Sequence, residues 1–294
     1  MHVKRLALIG CGLMGGSFAL ALRQFAQVNH IAGYSASSVS RQKALQMGAI
    51  DEACSSIPDA VAGADVVLLA VPVSMTAACL RDMADTLGPD ALVMDVGSTK
   101  TDVVQAARAS LGAKVSGFVP AHPITGKEVA GIEHAEATLY RDRLVVLTPT
   151  HETNAAHVAR AQALWQTMGS KVEQLSPEDH DAAFAAVSPL PHLAAFALVN
   201  AITQQPQGDL FLSMAGPGFR DFSRIAASDP VVWRDILLAN RQEVLRQAAL
   251  MREALHQFEV AMQSGDVQGL TELIESASQA RGRWQLCGKS TSCD

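Results

Sequence analysis

The chain has 294 residues, 49% of them hydrophobic, and a net charge of −6. That length accommodates a cofactor domain plus a second domain, and the apolar share sustains sizeable cores. A negative balance with no run of Lys and Arg repels phosphate backbones, so nucleic acid is not an expected partner.

Residues 6–9 form an apolar run that stops at Gly10 and reads as a buried strand. Helical periodicity follows over 13–25. Residues 30–34 read as a second strand, and 40–47 as a helix that stops at Gly48. Residues 64–71 make a strong strand ended by Pro72, after which Ser74 is expected to cap a helix reaching residue 87. Further strands are expected at 91–96, 115–119, 143–147 and 171–175, with helices at 101–111 and 153–168. Strands alternating with helices imply crossover units and a mainly parallel sheet. Past Pro177 no strand pattern remains. The stretches 178–203, 229–263 and 266–283 read as amphipathic helices.

The five cysteines, Cys11, Cys54, Cys79, Cys287 and Cys293, are odd in number and lack C-x-x-C spacing. They read as reduced thiols of a cytoplasmic protein, with neither a disulfide framework nor a zinc site, and no metal is expected. The apolar start is too short for a secretory signal. No run of about 18 unbroken apolar residues occurs, so no membrane span is expected.

The run Gly10-Cys11-Gly12-Leu13-Met14-Gly15 fits G-x-G-x-x-G between a strand and a helix. Gly10 permits the tight turn, Gly12 admits a pyrophosphate against the backbone, and Gly15 lets the helix pack on the strand. The helix start then offers free N–H groups and the positive end of its dipole to phosphates. The fold class expected is therefore α/β: a Rossmann-type, mainly parallel sheet in a dinucleotide-binding domain over 1–176. An all-helical domain over 177–286 follows, then a frayed polar tail over 287–294. Val71 and Pro72, at the end of the third strong strand, are counted with Leu13 and Met14 among the cofactor contacts. An acidic residue for the adenosine ribose is expected ~20 residues after the glycines. That place instead reads Tyr34-Ser35-Ala36-Ser37-Ser38, with Arg41 close behind. Ser35, Ser37 and Arg41 suit a 2′-phosphate, which favours NADP over NAD, although the serines would equally serve a plain turn.

Two segments at strand ends carry more chemistry than a fold requires: Asp95-Val96-Gly97-Ser98-Thr99-Lys100 and Ala121-His122-Pro123-Ile124-Thr125-Gly126-Lys127-Glu128. Ligands of open α/β sheets gather at the carboxyl ends of strands, so both are expected to face a nicotinamide. His122 can take a proton from a substrate hydroxyl while hydride leaves carbon, and Ser98 could orient it. Pro123 and Gly126 shape the loop. In Ser188-Pro189-Leu190-Pro191-His192 the prolines would bend a helix and aim His192 into a cleft. Arg224 could anchor an anionic substrate with its two-pronged geometry, Asp221 could hold a guanidinium, and Trp233 could wall the pocket.

Together these pieces resemble the prephenate/arogenate (cyclohexadienyl) dehydrogenase family. The resemblance runs from the glycine turn to about Arg283. It rests on D-V-G-S-T-K from Asp95, H-P-I-T-G-K-E from His122, P-H-L-A-A-F-A-L from Pro191 and F-R-D-F-S-R-I-A from Phe219. It implies oxidative decarboxylation of a cyclohexadienol in tyrosine biosynthesis, with hydride passed to NADP or NAD. His122 would accept the hydroxyl proton and Ser98 would bond that histidine and the substrate. His192 and Arg224 would place the substrate, with Gly126, Glu128, Asp221 and Trp233 shaping its pocket. The helical domain would form a homodimer. Members often carry a second histidine where this chain has Pro189, which puts the His192 side in question. The choice between prephenate and arogenate stays open, though a carboxylate such as Glu128 would favour an amine. A β-hydroxyacid dehydrogenase would use a lysine on the first interdomain helix, yet residues 177–206 contain no Lys or Arg. A non-catalytic dinucleotide sensor would need the glycine turn but not Ser98, His122 and Arg224 together.

Overall fold

The computed structural model describes residues 2–127 and 129–284, so Glu128, Cys287, Cys293 and the tail expected at 287–294 lie outside the described residues. The described chain divides into two compact units, one of residues 2–181 with 228–240, the other of 182–227 with 241–284. The first unit thus takes in the whole expected sheet domain, the start of the first long helix and a short later segment.

The first unit opens with β1 (His2–Ile9), α1 (Leu13–Phe25), β2 (Gln27–Tyr34), α2 (Ser38–Gln46), β3 (Glu52–Ala53) and α3 (Ile57–Val61). It continues through β4 (Val66–Leu69), α4 (Val73–Met83), β5 (Leu92–Asp95), α5 (Thr101–Leu111) and β6 (Phe118–Val119). These strands form one six-stranded sheet in the order β3-β2-β1-β4-β5-β6, with every pairing parallel. This is the doubly wound order, whose direction reverses between β1 and β4. Val66, Val67, Leu68 and Leu69 are all buried, as a central parallel strand covered on both faces requires.

After β6 the chain passes Pro120 into a second sheet. There β7 (Ala121–Pro123) pairs antiparallel with β8 (Leu144–Leu147), and β8 pairs parallel with β9 (Lys171–Gln174). The strands expected at 143–147 and 171–175 therefore exist but leave the main sheet. Between them lies α6 (Ala155–Thr167), whose Trp165 packs edge-on against Phe18 of α1 and Tyr140, with centroids 5.0 and 5.1 Å away. Such edge-to-face contacts add about 0.5–1.5 kcal/mol each beyond area burial. The Tyr140 hydroxyl donates to the Met14 carbonyl at 2.7 Å, so this cluster also pins the first turn of α1.

The helix expected from a Ser74 cap is α4, but its N-cap is Pro72. The Ser74 hydroxyl instead donates to Asp235 at 2.6 Å. The stretch expected as one helix over 229–263 is two, α11 (Pro230–Ala239) and α12 (Arg241–Ser264), with α11 in the first unit. Asp229 caps α11 by accepting from the Val231 and Val232 N–H groups.

Helix α7 (Pro177–Val187) leads into the second unit. The predicted bend near the prolines is a break at Ser188, with Pro189 at the first position of α8 (Pro189–Thr203). Proline fits there because that N–H has no intrahelical partner in any case. Two short helices follow, α9 (Gly208–Ser213) and α10 (Pro217–Ser223), then a 3-10 turn at Arg224–Ala227. Helix α8 packs against both, against that turn and against α12, while α12 packs on α13 (Val267–Arg283). By length and composition alone, Pro177–Thr203 is apolar enough to cross a bilayer, an 18-residue window of it having mean hydropathy 1.7. Ser188 interrupts it, and Glu178, Asp179, His180, Asp181 and His192 lie along it.

Candidate active site

Gly10 adopts φ +105°, where a Cβ would stand 2.2 Å from the Ala70 carbonyl oxygen at the end of β4. A Cβ on Gly15 would meet the Gly10 oxygen at 2.1 Å, so neither position admits a side chain. Gly12, by contrast, faces open space and caps α1 with no side-chain hydrogen bond. The first-turn N–H groups of α1 are thus left for an external acceptor, and a pyrophosphate fits there by both geometry and dipole.

A groove of about 340 Å³ begins at this turn. Gly12, Leu13, Met14, Val71, Pro72 and Ser98 line it, together with Val232 and Ile236 of α11. Mostly apolar walls with a few polar groups suit a nicotinamide nucleotide. Burial pushes the Cys11 thiol up to about 12, despite the opposing Arg41 charge, which makes Cys11 a packing residue of the turn.

At the end of β2 the Arg41 guanidinium donates to the Ser35 carbonyl and lies 5.7 Å from the centre of the Tyr34 ring. Ser37 caps α2, its hydroxyl accepting from the Ser40 N–H at 3.2 Å. The first carboxylate after β2 is Asp51, and it serves structure: it accepts from the Ile31 N–H at 2.7 Å and pairs with Arg23 at 2.8 Å. The end of β2 therefore offers hydroxyls and a cation.

The segments carrying Ser98 and His122 are tied together by a buried ion pair. Asp95, at the end of β5, accepts from the Gly97 N–H at 2.8 Å, the Ala121 N–H at 3.0 Å and the Lys100 ammonium. Lys100 is wholly buried and also donates to the Ala121 carbonyl at 2.9 Å. One lysine and one aspartate thus set the turn 96–100 against β7.

His122 sits at the centre of β7, half-buried, rather than in the expected loop. Its Nδ1 lies 2.9 Å from Nε2 of His180. His180 in turn has its Nδ1 2.9 Å from Oδ1 of Asp181. The Asp181 carboxylate accepts from the N–H groups of Lys100 and Thr101, both at 2.9 Å, and so caps α5 from a distant part of the chain. Burial holds the His122 pKa well below its ordinary value, helped by His180 and Lys100. Burial also lowers His180, outweighing the opposing pull of Asp181. Both rings are therefore neutral near pH 7, and a neutral histidine can act as a base.

Ser98 lines the groove, while the bond at Nδ1 of His122 goes to His180. Trp233, on α11, belongs to the same unit. Gly126 is exposed, with no heavy atom within 4 Å of where a Cβ would stand. His192, Arg224 and Asp221 belong to the second unit. There His192 lies in the first turn of α8, its Nδ1 3.0 Å from the Ser188 carbonyl, and burial and the nearby Arg224 charge lower its pKa. Arg224 begins the 3-10 turn that packs on α8. Asp221 pairs with Arg220 at 3.1 Å on an exposed surface. His180 and Asp181 were missed in the sequence, where a His-Asp pair near a helix start has no distinguishing spacing.

Residues 18–174 match the family model described as prephenate dehydrogenase, nucleotide-binding domain, and residues 176–276 match prephenate dehydrogenase, dimerization domain. The chain is 32% identical to the cyclohexadienyl dehydrogenase of Zymomonas mobilis, over 95% of each chain. It is similar to a crystal structure of prephenate dehydrogenase from Aquifex aeolicus in complex with hydroxyphenyl propionate and NAD+. That likeness has 36% identity and a TM-score of 0.89 over 95% of this chain and 97% of that one. It is also similar to the arogenate dehydrogenase structure from Synechocystis, with 27% identity and a TM-score of 0.83 over 96% and 100% of the two chains.

Proposed function

The chain belongs to the prephenate dehydrogenase family, and from that premise we propose that it oxidatively decarboxylates prephenate, arogenate or both, in tyrosine biosynthesis. The carrying observation is a half-buried histidine, held neutral and hydrogen-bonded through Nδ1, in the same unit as an open glycine turn. A nicotinamide dinucleotide bound on that turn supplies the hydride acceptor. His122 takes the proton of the substrate hydroxyl as its carbon loses hydride and the ring-bound carboxylate departs as carbon dioxide, and aromatisation drives the step. A base that acts mainly in the transition state contributes about 10²–10⁴ in rate. Ser98 donates to the substrate oxygen from the groove wall. In the second unit, Arg224 binds the substrate's side-chain carboxylate beside His192. By their motifs, Gly126, Glu128, Asp221 and Trp233 are further candidates for substrate contact. The test is a turnover assay crossing prephenate and arogenate with NAD and NADP, with product identified as 4-hydroxyphenylpyruvate or tyrosine. Absence of cofactor reduction with every pair would refute the reading.

The end of β2 favours NADP as the cofactor. A carboxylate there would bond the ribose 2′-hydroxyl and repel a 2′-phosphate. Ser35, Ser37 and Arg41 instead offer donors and a positive charge. A tenfold preference for NAD in kcat/KM would overturn this.

The second unit forms a homodimer in this reading. Leu210, Phe211, Met214, Leu245, Leu255 and Met262 are exposed in the single chain. Apolar surface of that extent marks an interface, and pairing of two chains covers the apolar α8 stretch without a membrane. Sedimentation at micromolar concentration should give twice the chain mass; a monomer would contradict it. The buried, unpaired thiols of Cys11, Cys54 and Cys79 fit a cytoplasmic setting.

A further inference from the structure

The row of hydrogen bonds behind His122 has a direction. Asp181 accepts the Lys100 and Thr101 N–H groups, so it is ionised, and its carboxyl is held below the ordinary carboxylate range. An ionised carboxylate only accepts, so His180 donates to it through Nδ1–H across 2.9 Å. A neutral imidazole carries a single ring proton. With that proton on Nδ1, Nε2 of His180 bears a lone pair. At 2.9 Å from it, Nδ1 of His122 must be the donor. The ring proton of His122 is therefore on Nδ1, which leaves Nε2 unprotonated, with its lone pair as an acceptor.

We propose that His180 and Asp181 are positioning residues that hold His122 in its Nδ1–H tautomer, with Nε2 as the nitrogen that receives the substrate proton. This rests on the reading of His122 as the base. In the step, the substrate O–H bond breaks and its proton goes to Nε2, while the O–H electron pair moves into the carbon–oxygen bond as hydride leaves that carbon for the nicotinamide. The pair released when the carboxylate departs as carbon dioxide returns through the ring to the oxygen, which takes the proton back from the imidazolium. The resulting imidazolium keeps its Nδ1–H on His180, and the Asp181 charge stabilises it through that ring. Two anchors keep the row in place. The Asn240 amide donates to the Asp181 carbonyl at 2.8 Å, and the start of α5 holds its carboxylate. The arrangement follows the general logic of a base oriented by a third group, with a second histidine inserted between base and carboxylate.

The experiment combines ring-nitrogen NMR of the full chain, labelled with 15N-histidine, with kinetics of three variants. Comparison with His122→Asn assigns the His122 signals. In the unaltered protein at neutral pH, Nδ1 of His122 should be protonated and Nε2 unprotonated. His180→Leu should lower kcat on the order of 10²-fold, leave KM within about threefold, and shift His122 toward the Nε2–H tautomer. His180→Gln places an amide oxygen near the lost Nε2 and should recover at least about tenfold of that kcat. A protonated Nε2 in the unaltered protein overturns the proposal, as does unchanged kcat in His180→Leu. Should His180→Leu fail to fold, the tautomer of the unaltered protein decides. Near-normal turnover in His122→Asn removes the base itself, whereas an inactive His122→Asn with the wrong tautomer removes only the positioning role.

Discussion

His122 and His180 stand 58 positions apart in the chain, yet their rings meet edge-on, with 5.1 Å between centroids and 2.9 Å between Nδ1 and Nε2. The histidine that the motif singles out is therefore half of a pair. Its partner comes from a helix that begins where the sheet ends.

His122→Asn should lower kcat by about 10²–10⁴. The glycine turn and groove do not include this side chain, so cofactor affinity, read by fluorescence titration, should stay within about twofold of the unaltered protein's. Near-normal turnover would remove His122 from the chemistry.

The pH dependence has a definite sign. A base works in its neutral form, which exists above its pKa. Burial, His180 and Lys100 hold His122 well below 6.5, so kcat/KM should stay level from pH 8 to about 6.5 and fall only beneath it. An acid limb with a midpoint above 7 would contradict this. Stability follows the same direction. In the unfolded chain His122 and His180 take protons near 6.5, earlier than in the folded chain, so their contribution is full above that pH and is lost as pH falls below it. Thermal unfolding at pH 7.5 and 5.5 should show the lower Tm at 5.5.

Arg41→Ala should weaken NADP more than NAD. A hydrogen bond to a charged group is worth about 1.5–3 kcal/mol, so KM for NADP should rise by about tenfold to a hundredfold. Ser35→Asp should shift preference toward NAD by adding a carboxylate at the end of β2. An unchanged ratio of kcat/KM for the two cofactors in both variants would place the discriminating contact elsewhere.

Arg224→Ala should act chiefly on KM for the substrate, raising it by about tenfold or more, because a carboxylate anchor holds substrate and transition state alike. Unchanged KM would exclude Arg224 from the site.

Lys100→Met leaves Asp95 buried without its cation. Removing one partner of a buried ion pair costs about 3–5 kcal/mol. The Tm of the unit should drop by roughly 10 °C. A drop of a degree or two would mean that the N–H groups of Gly97 and Ala121 suffice to hold the carboxylate.

Much of the first unit is legible one residue at a time. The helices expected at 13–25 and 101–111 are α1 and α5 with those bounds, and the glycine turn joins β1 to α1 as its spacing implies. These features are local: a run of apolar residues, a glycine with no room for Cβ, a 3.6-residue period. The short strands β3 and β7 carry no period of their own and escape such reading, so His122 reads as a loop residue when it lies on a strand. Ser74 looks like a helix cap because hydroxyls at helix starts usually are, but its partner Asp235 lies 161 positions away.

By itself the sequence determined the dinucleotide turn, the absence of an acidic residue after β2, the change from alternating elements to helices, and the motifs that mark the family. Only the tertiary structure decided that the sheet is two sheets, that α11 walls the groove, and that His180 and Asp181 stand behind His122. The physical reason lies in the residue types. Acidic residues in the first turns of a helix are favoured by its dipole wherever they occur. Glu178, Asp179 and Asp181 therefore look alike in sequence, and only the packing of α7 near the start of α5 turns one of them into the end of a proton-orienting row.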